Sequence, residues 1–139
     1  MAVGLILASI LAVAGCLVTH DEVARVTSPD GRIDAVTVEG NGGATTSFSY
    51  DVYVVPRGWF HRRVHVAHLY GAIRSEMAYG VNVRWHDPSS LAVEYLDAKD
   101  ADLLQAHPEV SGKLISVELQ PGVSDPSAPS GSMLYNLGK

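Results

Sequence analysis

His61, His65 and His68 stand four and three positions apart, a spacing that on a helix would set three imidazoles on one face and could hold zinc. The residues between them argue for a strand instead. Val64 and Val66 are β-branched, and period-two alternation sets His65, Ala67 and Leu69 against Val66, His68 and Tyr70. On that pattern His68 points away from the other two, and surface histidines are the favoured reading. A partial site pairing His61 and His65 with a carboxylate from elsewhere stays open, and with it a hydrolase or a metal-dependent protein. Thr45, Thr46, Ser47 and Ser49 supply hydroxyls, but no nucleophile-elbow pattern surrounds them, and a triad is a matter of geometry rather than of composition. Trp59 and Phe60 precede His61-Arg62-Arg63. Aromatics beside cations can bind a protein, a glycan or a lipid headgroup, or can simply close one end of a fold. The single cysteine, Cys16, excludes an internal disulfide and cannot hold zinc alone. The expectation is a non-enzymatic protein with no cofactor.

The distribution of charge says where such a chain works. Residues 1–18 contain no charged side chain, and the first is Asp21. Residues 3–13 have the length and apolarity of a secretory h-region, followed by the small residues Ala14 and Gly15. The stretch Val13-Ala14-Gly15-Cys16 resembles the lipobox of bacterial lipoproteins. That resemblance implies cleavage before Cys16 and a thiol carrying a diacylglycerol, so that membrane lipid is the chain's first partner. Each buried CH₂ of such an anchor contributes about 0.8 kcal/mol, so two or more chains hold firmly where one does not. Leu17 is not the aspartate that marks inner-membrane retention in these lipoproteins, which points to the periplasmic face of an outer membrane. An uncut helix over residues 1–18 is the competing expectation, since that run is just long enough to span a bilayer. Both place the rest of the chain outside the cytosol.

The elements that must position any site read as strands. In residues 45–56, Phe48, Tyr50, Val52 and Val54 alternate with Ser47, Ser49, Asp51 and Tyr53, the pattern of a half-buried strand. Before it, residues 23–27 and 33–39 flank Ser28-Pro29-Asp30-Gly31, a turn whose proline presets φ and whose glycine accepts a positive one. After it, residues 64–70, 80–85, 91–95 and 114–119 carry strand patterns, whereas residues 98–106 read as a short helix capped by Asp97. Residues 120–139 are rich in Ser, Pro and Gly and predict a flexible tail. The organisation expected is a signal peptide over 1–15, a lipid-anchored linker over 16–22, a β domain over 23–119 and the tail. The fold class is all-β: a small antiparallel meander, sandwich or partly open barrel with one short helix, preceded by an apolar signal helix.

The 139 residues carry a net charge of −5, which argues against a nucleic-acid partner because a phosphate backbone needs a basic face. A protein partner in the envelope is compatible with it. Ser28-Pro29-Asp30-Gly31, the segment Gly43-Ala44-Thr45-Thr46-Ser47-Phe48-Ser49 and Val83-Arg84-Trp85 together resemble a group of short, uncharacterised bacterial proteins. The likeness covers roughly residues 26–96. It implies a shared small β fold and transfers no catalytic residue.

Overall fold

The computed structural model describes residues 19–43, 45–58, 62–75 and 78–124. Among them the chain forms twelve strands and no helix. They are β1 (Thr19–Thr27), β2 (Ile33–Asn41), β3 (Ser49–Pro56), β4 (Val64–Tyr70), β5 (Arg74–Ser75), β6 (Ala78–Tyr79), β7 (Val81–Asp87), β8 (Ser90–Tyr95), β9 (Asp100–Leu103), β10 (Glu109–Val110), β11 (Lys113–Leu114) and β12 (Ser116–Gln120). A five-stranded antiparallel sheet has the order β1-β2-β3-β4-β9, and a three-stranded sheet the order β12-β8-β7. The expected signal peptide lies outside the described residues. The expected linker over 16–22 is described only from Thr19, where β1 already begins.

One core lies between the sheets. Tyr50, Val52 and Val54 of β3 and Val66, Ala67 and Leu69 of β4 meet Val81 and Val83 of β7, Leu91 and Val93 of β8, and Val117 of β12. The alternation read in β3 therefore holds, with Asp51 and Tyr53 on the opposite face. β2 is blurred in sequence because both its faces are covered. Ile33, Ala35, Thr37 and Glu39 face the core, while Asp34 and Val36 are buried on the other side. The Asp34 carboxylate is satisfied there by the Thr27 hydroxyl at 2.7 Å and the Arg25 guanidinium at 2.9 Å.

Two expectations are corrected. Residues 98–106 are not a helix: β9 occupies their centre and pairs antiparallel with β4, Ala67 opposite Leu103 and Tyr70 opposite Asp100. Asp97 does accept a hydrogen bond from the Ala98 amide, at 2.9 Å. The weak helical signal, with only Leu103-Leu104 to anchor it, yields to the unpaired amides and carbonyls of β4, whose burial demands partners. Second, the topology is not wholly antiparallel, since β12 runs parallel to β8 from Ser116 opposite Ser90 to Gln120 opposite Glu94. Parallel neighbours require a crossover of a dozen or more residues. The chain makes it by laying β9 on the other sheet and turning back through the β10–β11 hairpin. Of the expected tail, Gly122 and Val123 donate to the Leu96 and Tyr95 carbonyls at 3.0 and 3.1 Å; residues 125–139 lie outside the described residues.

The turn at Ser28-Pro29-Asp30-Gly31 closes the β1–β2 hairpin as its sequence requires. The Gly31 amide donates to the Ser28 carbonyl at 2.8 Å, and Gly31 takes φ 74°. Asp30 ties the turn down. Its carboxylate accepts from the Ser28 hydroxyl at 2.7 Å and from the Lys113 ammonium at 2.7 Å. Lys113 first, and Ser28 after it, hold the Asp30 carboxyl down to about 2 from 3.8. A carboxylate depressed on folding stabilises above its unfolded pKa, and that contribution is lost as pH falls through the folded value. Lys113→Met is therefore expected to lower the melting temperature at neutral pH. The gap from wild type narrows as pH falls from about 4 through about 2 and closes below that. Thermal melts across that window check it; a gap independent of pH would show that the pair contributes no linkage.

Candidate functional site

The face of the five-stranded sheet turned away from the core carries the only His/Asp grouping with metal-ligand spacing among the described residues: Asp51, His65 and His68, with their ligand atoms all within 4.8 Å of one another. Asp51 is brought there by the simple parity of β3, two residues on from Ser49. The histidines are brought there by an irregularity. Along β3–β4, Val52 pairs with Ala67 but Tyr53 pairs with His65, so Val66 is an extra residue, a β-bulge. In a regular strand residues three apart face opposite sides. The bulge adds a half-step and returns His65 to the face of His68. The expectation that His68 points away from His65 is thus overturned, and His65 meets a carboxylate from another strand, Asp51. His61 lies outside the described residues.

The bulge is held from both sides. Val66 and Ala67 are fully buried, and the Val66 carbonyl accepts from the amides of Leu104 at 2.9 Å and Gln105 at 3.2 Å. That carbonyl faces β9, one step beyond the Ala67–Leu103 pair, and is satisfied by the segment leaving β9, the same segment that corrected the expected helix. A bulge re-aims side chains and is found beside functional sites.

The geometry is compact. His65 Nε2 lies 2.8 Å and His68 Nδ1 2.7 Å from a single atom, Asp51 Oδ1. Both are hydrogen bonds when each ring presents N–H to the carboxylate. Asp51 is 14% exposed, His65 37% and His68 38%, so the carboxylate sits at the floor and the imidazoles form its accessible walls. Tyr53 stacks on the His65 ring at 4.7 Å between centroids and 23° between planes, backing it on one face. Arg63 lies 4.5 Å over the Tyr53 ring. Burial, and then the neighbouring Asp51 charge, raise the Tyr53 phenol above its ordinary value, with Arg63 opposing. On the other flank Asp102 of β9 is the cross-strand partner of His68, adding a second carboxylate to the same row.

Two imidazoles and a carboxylate can share protons, coordinate a cation or bind a polar partner. Of the hydroxyl-bearing segment, Thr46 and Ser47 are engaged elsewhere. Ser47 accepts from Lys99 Nζ at 2.6 Å and its amide donates to the Tyr70 hydroxyl at 3.1 Å, while the Thr46 hydroxyl donates to the Gly43 carbonyl at 3.4 Å. These contacts close the loop before β3. Cys16, Trp59 and Phe60 lie outside the described residues. Sequence reasoning separated His68 from His65, and so missed their shared face with Asp51, because alternation was applied without the bulge. The one available signal was Asp51 on the outward face of β3, beside a strand with two histidines. No protein-family model, curated protein or solved structure matches the chain.

Proposed function

We propose that this chain is a lipid-anchored domain held outside the cytosol, acting by binding rather than by catalysis, with the Asp51–His65–His68 face as its contact surface. The observation that carries the binding surface is the convergence of both imidazoles on one carboxylate oxygen. Exposed ion pairs and hydrogen bonds of this kind contribute little to folding, so stability alone gives no reason for a bulge that assembles them. The anchor rests on the charge-free residues 1–18 and on the likeness of Val13-Ala14-Gly15-Cys16 to a lipobox. The partners that follow are membrane lipid through acylated Cys16 and, at the exposed face, a ligand or a protein of the envelope. Leu17 after the cysteine favours the periplasmic face of an outer membrane. The likeness of roughly residues 26–96 to a group of short bacterial proteins implies a small β fold and adds no catalytic residue.

The start of β1 adds a spatial consequence. Only Leu17 and Val18 separate Cys16 from Thr19, about 10 Å of fully extended chain. An acylated Cys16 therefore holds the domain against the lipid surface rather than on a long leash. No described helix is long and apolar enough to cross a membrane, and residues 1–18 lie outside that statement.

Mass spectrometry of the native N-terminus tests the anchor: a chain starting at an acylated Cys16 is expected. Cys16→Ser should move the protein from the membrane to the soluble fraction. A chain that keeps Met1, or a serine variant that stays with the membrane, removes the lipid-anchored reading and favours an uncut helix.

A further inference from the structure

We propose that Asp51 Oδ1, His65 Nε2 and His68 Nδ1 are three ligands of a divalent transition-metal ion of the zinc class. This rests on the reading of that face as the binding surface and names its ligand. The donor set decides the class of ion. Two imidazole nitrogens and one carboxylate oxygen suit zinc and its neighbours, whereas magnesium and calcium ask for six or more oxygens. Three protein ligands leave a fourth, solvent-facing position, the arrangement of an open rather than a closed structural site.

The distances fit with a small adjustment. Zinc bonds of about 2.0–2.1 Å at tetrahedral angles place ligand atoms roughly 3.4 Å apart. The two nitrogens stand 2.8 and 2.7 Å from Asp51 Oδ1, and no ligand pair exceeds 4.8 Å. Opening the two hydrogen bonds by about 0.6–0.7 Å is thus the whole change required on the oxygen side. Both rings are more than a third exposed, so they can make it by side-chain rotation without disturbing the strands. The proton balance is simple for neutral rings. His65 moves its proton from Nε2 to Nδ1 and His68 from Nδ1 to Nε2, an exchange that the exposure of both side chains lets solvent carry. The inner lone pairs then turn to the metal, and no net proton is released.

The surroundings are arranged for it. The Tyr53 stack restrains His65, which is the work of an outer-shell partner. Asp102 beside His68 adds negative charge toward a cation. The Val66 bulge supplies the shared face, and the Leu104 and Gln105 amides hold it in place.

The test is a calorimetric titration of untagged full-length protein, stripped with chelator, with Zn(II), repeated with Co(II) read by its visible absorption. One saturable equivalent is expected for wild type. It should be lost in His65→Ala and in His68→Ala, and retained in His86→Ala, whose ring lies on the other sheet beside Glu118 at 3.9 Å. Should an alanine variant fold poorly, nitrogen NMR of the wild-type imidazoles gives the answer without substitution. Zn(II) should exchange the protonated and unprotonated nitrogens of His65 and His68 and leave those of His86 alone. Absence of a saturable equivalent, folded variants that bind like wild type, or unchanged His65 and His68 nitrogens would each overturn the proposal. The anchor is scored separately by the mass of the N-terminus, so a failed titration on an acylated protein sinks the metal and leaves the tether standing.

Discussion

Gly80→Ala is expected to destabilise the domain by about 3 kcal/mol, the combined cost of backbone strain and overpacking. Gly80 has φ 100°, a conformation that L side chains rarely adopt. It is also in contact with the largest fully buried side chain of the core. A methyl group built at Gly80 would overlap the Tyr50 hydroxyl and lie 2.6 Å from its ring carbon Cζ. Tyr50 is 1% exposed and is packed among core residues from both sheets, so it has little room to withdraw. Urea denaturation of the two proteins measures the effect. A loss below about 1 kcal/mol would show that the ring yields and that φ alone is at stake.

Breaking the Glu39–Arg74 pair is expected to cost a similar amount. Glu39 faces the core from β2, opposite Tyr50, and its side chain is only 3% exposed, with that of Arg74 at 11%. The guanidinium stands 3.8 Å from Glu39 Oε1 and 4.3 Å over the Phe48 ring. Removing one partner of a buried pair strands the other charge, which costs about 3–5 kcal/mol, whereas replacing both with apolar groups is often neutral. Arg74→Met should therefore cost about 3 kcal/mol, and the double variant Glu39→Leu/Arg74→Met should recover most of it. Chemical denaturation of the single and double variants checks this. If the double variant is as unstable as the single one, the guanidinium matters for its packing on Phe48 and not for its charge.

These two positions differ in how much of them could be read beforehand. The hairpin around Ser28-Pro29-Asp30-Gly31 and the alternation of β3 were legible because local chemistry dictates them. A proline presets φ, a glycine accepts a positive one, and four apolar residues two apart must share a face. The same locality makes residues 98–106 misleading. Their intrinsic preference is weak, and the outcome was decided by the vacant edge of β4, a requirement no window of sequence contains. Glu39 is likewise unreadable as a core residue until Arg74 is placed beside it.

By itself the sequence determined the β character of the described residues, the position of their first turn, their central strand and an uncharged N-terminal stretch that holds the single cysteine. Each of these follows from side chains acting on their immediate neighbours. Only the tertiary structure decided that Val66 is the extra residue of its strand, and therefore that His65 and His68 share a face with Asp51. A bulge is a mismatch between two strands far apart in the chain, pinned here by amides from a third. Periodicity within one strand cannot register it, and the site exists only where the pairing does.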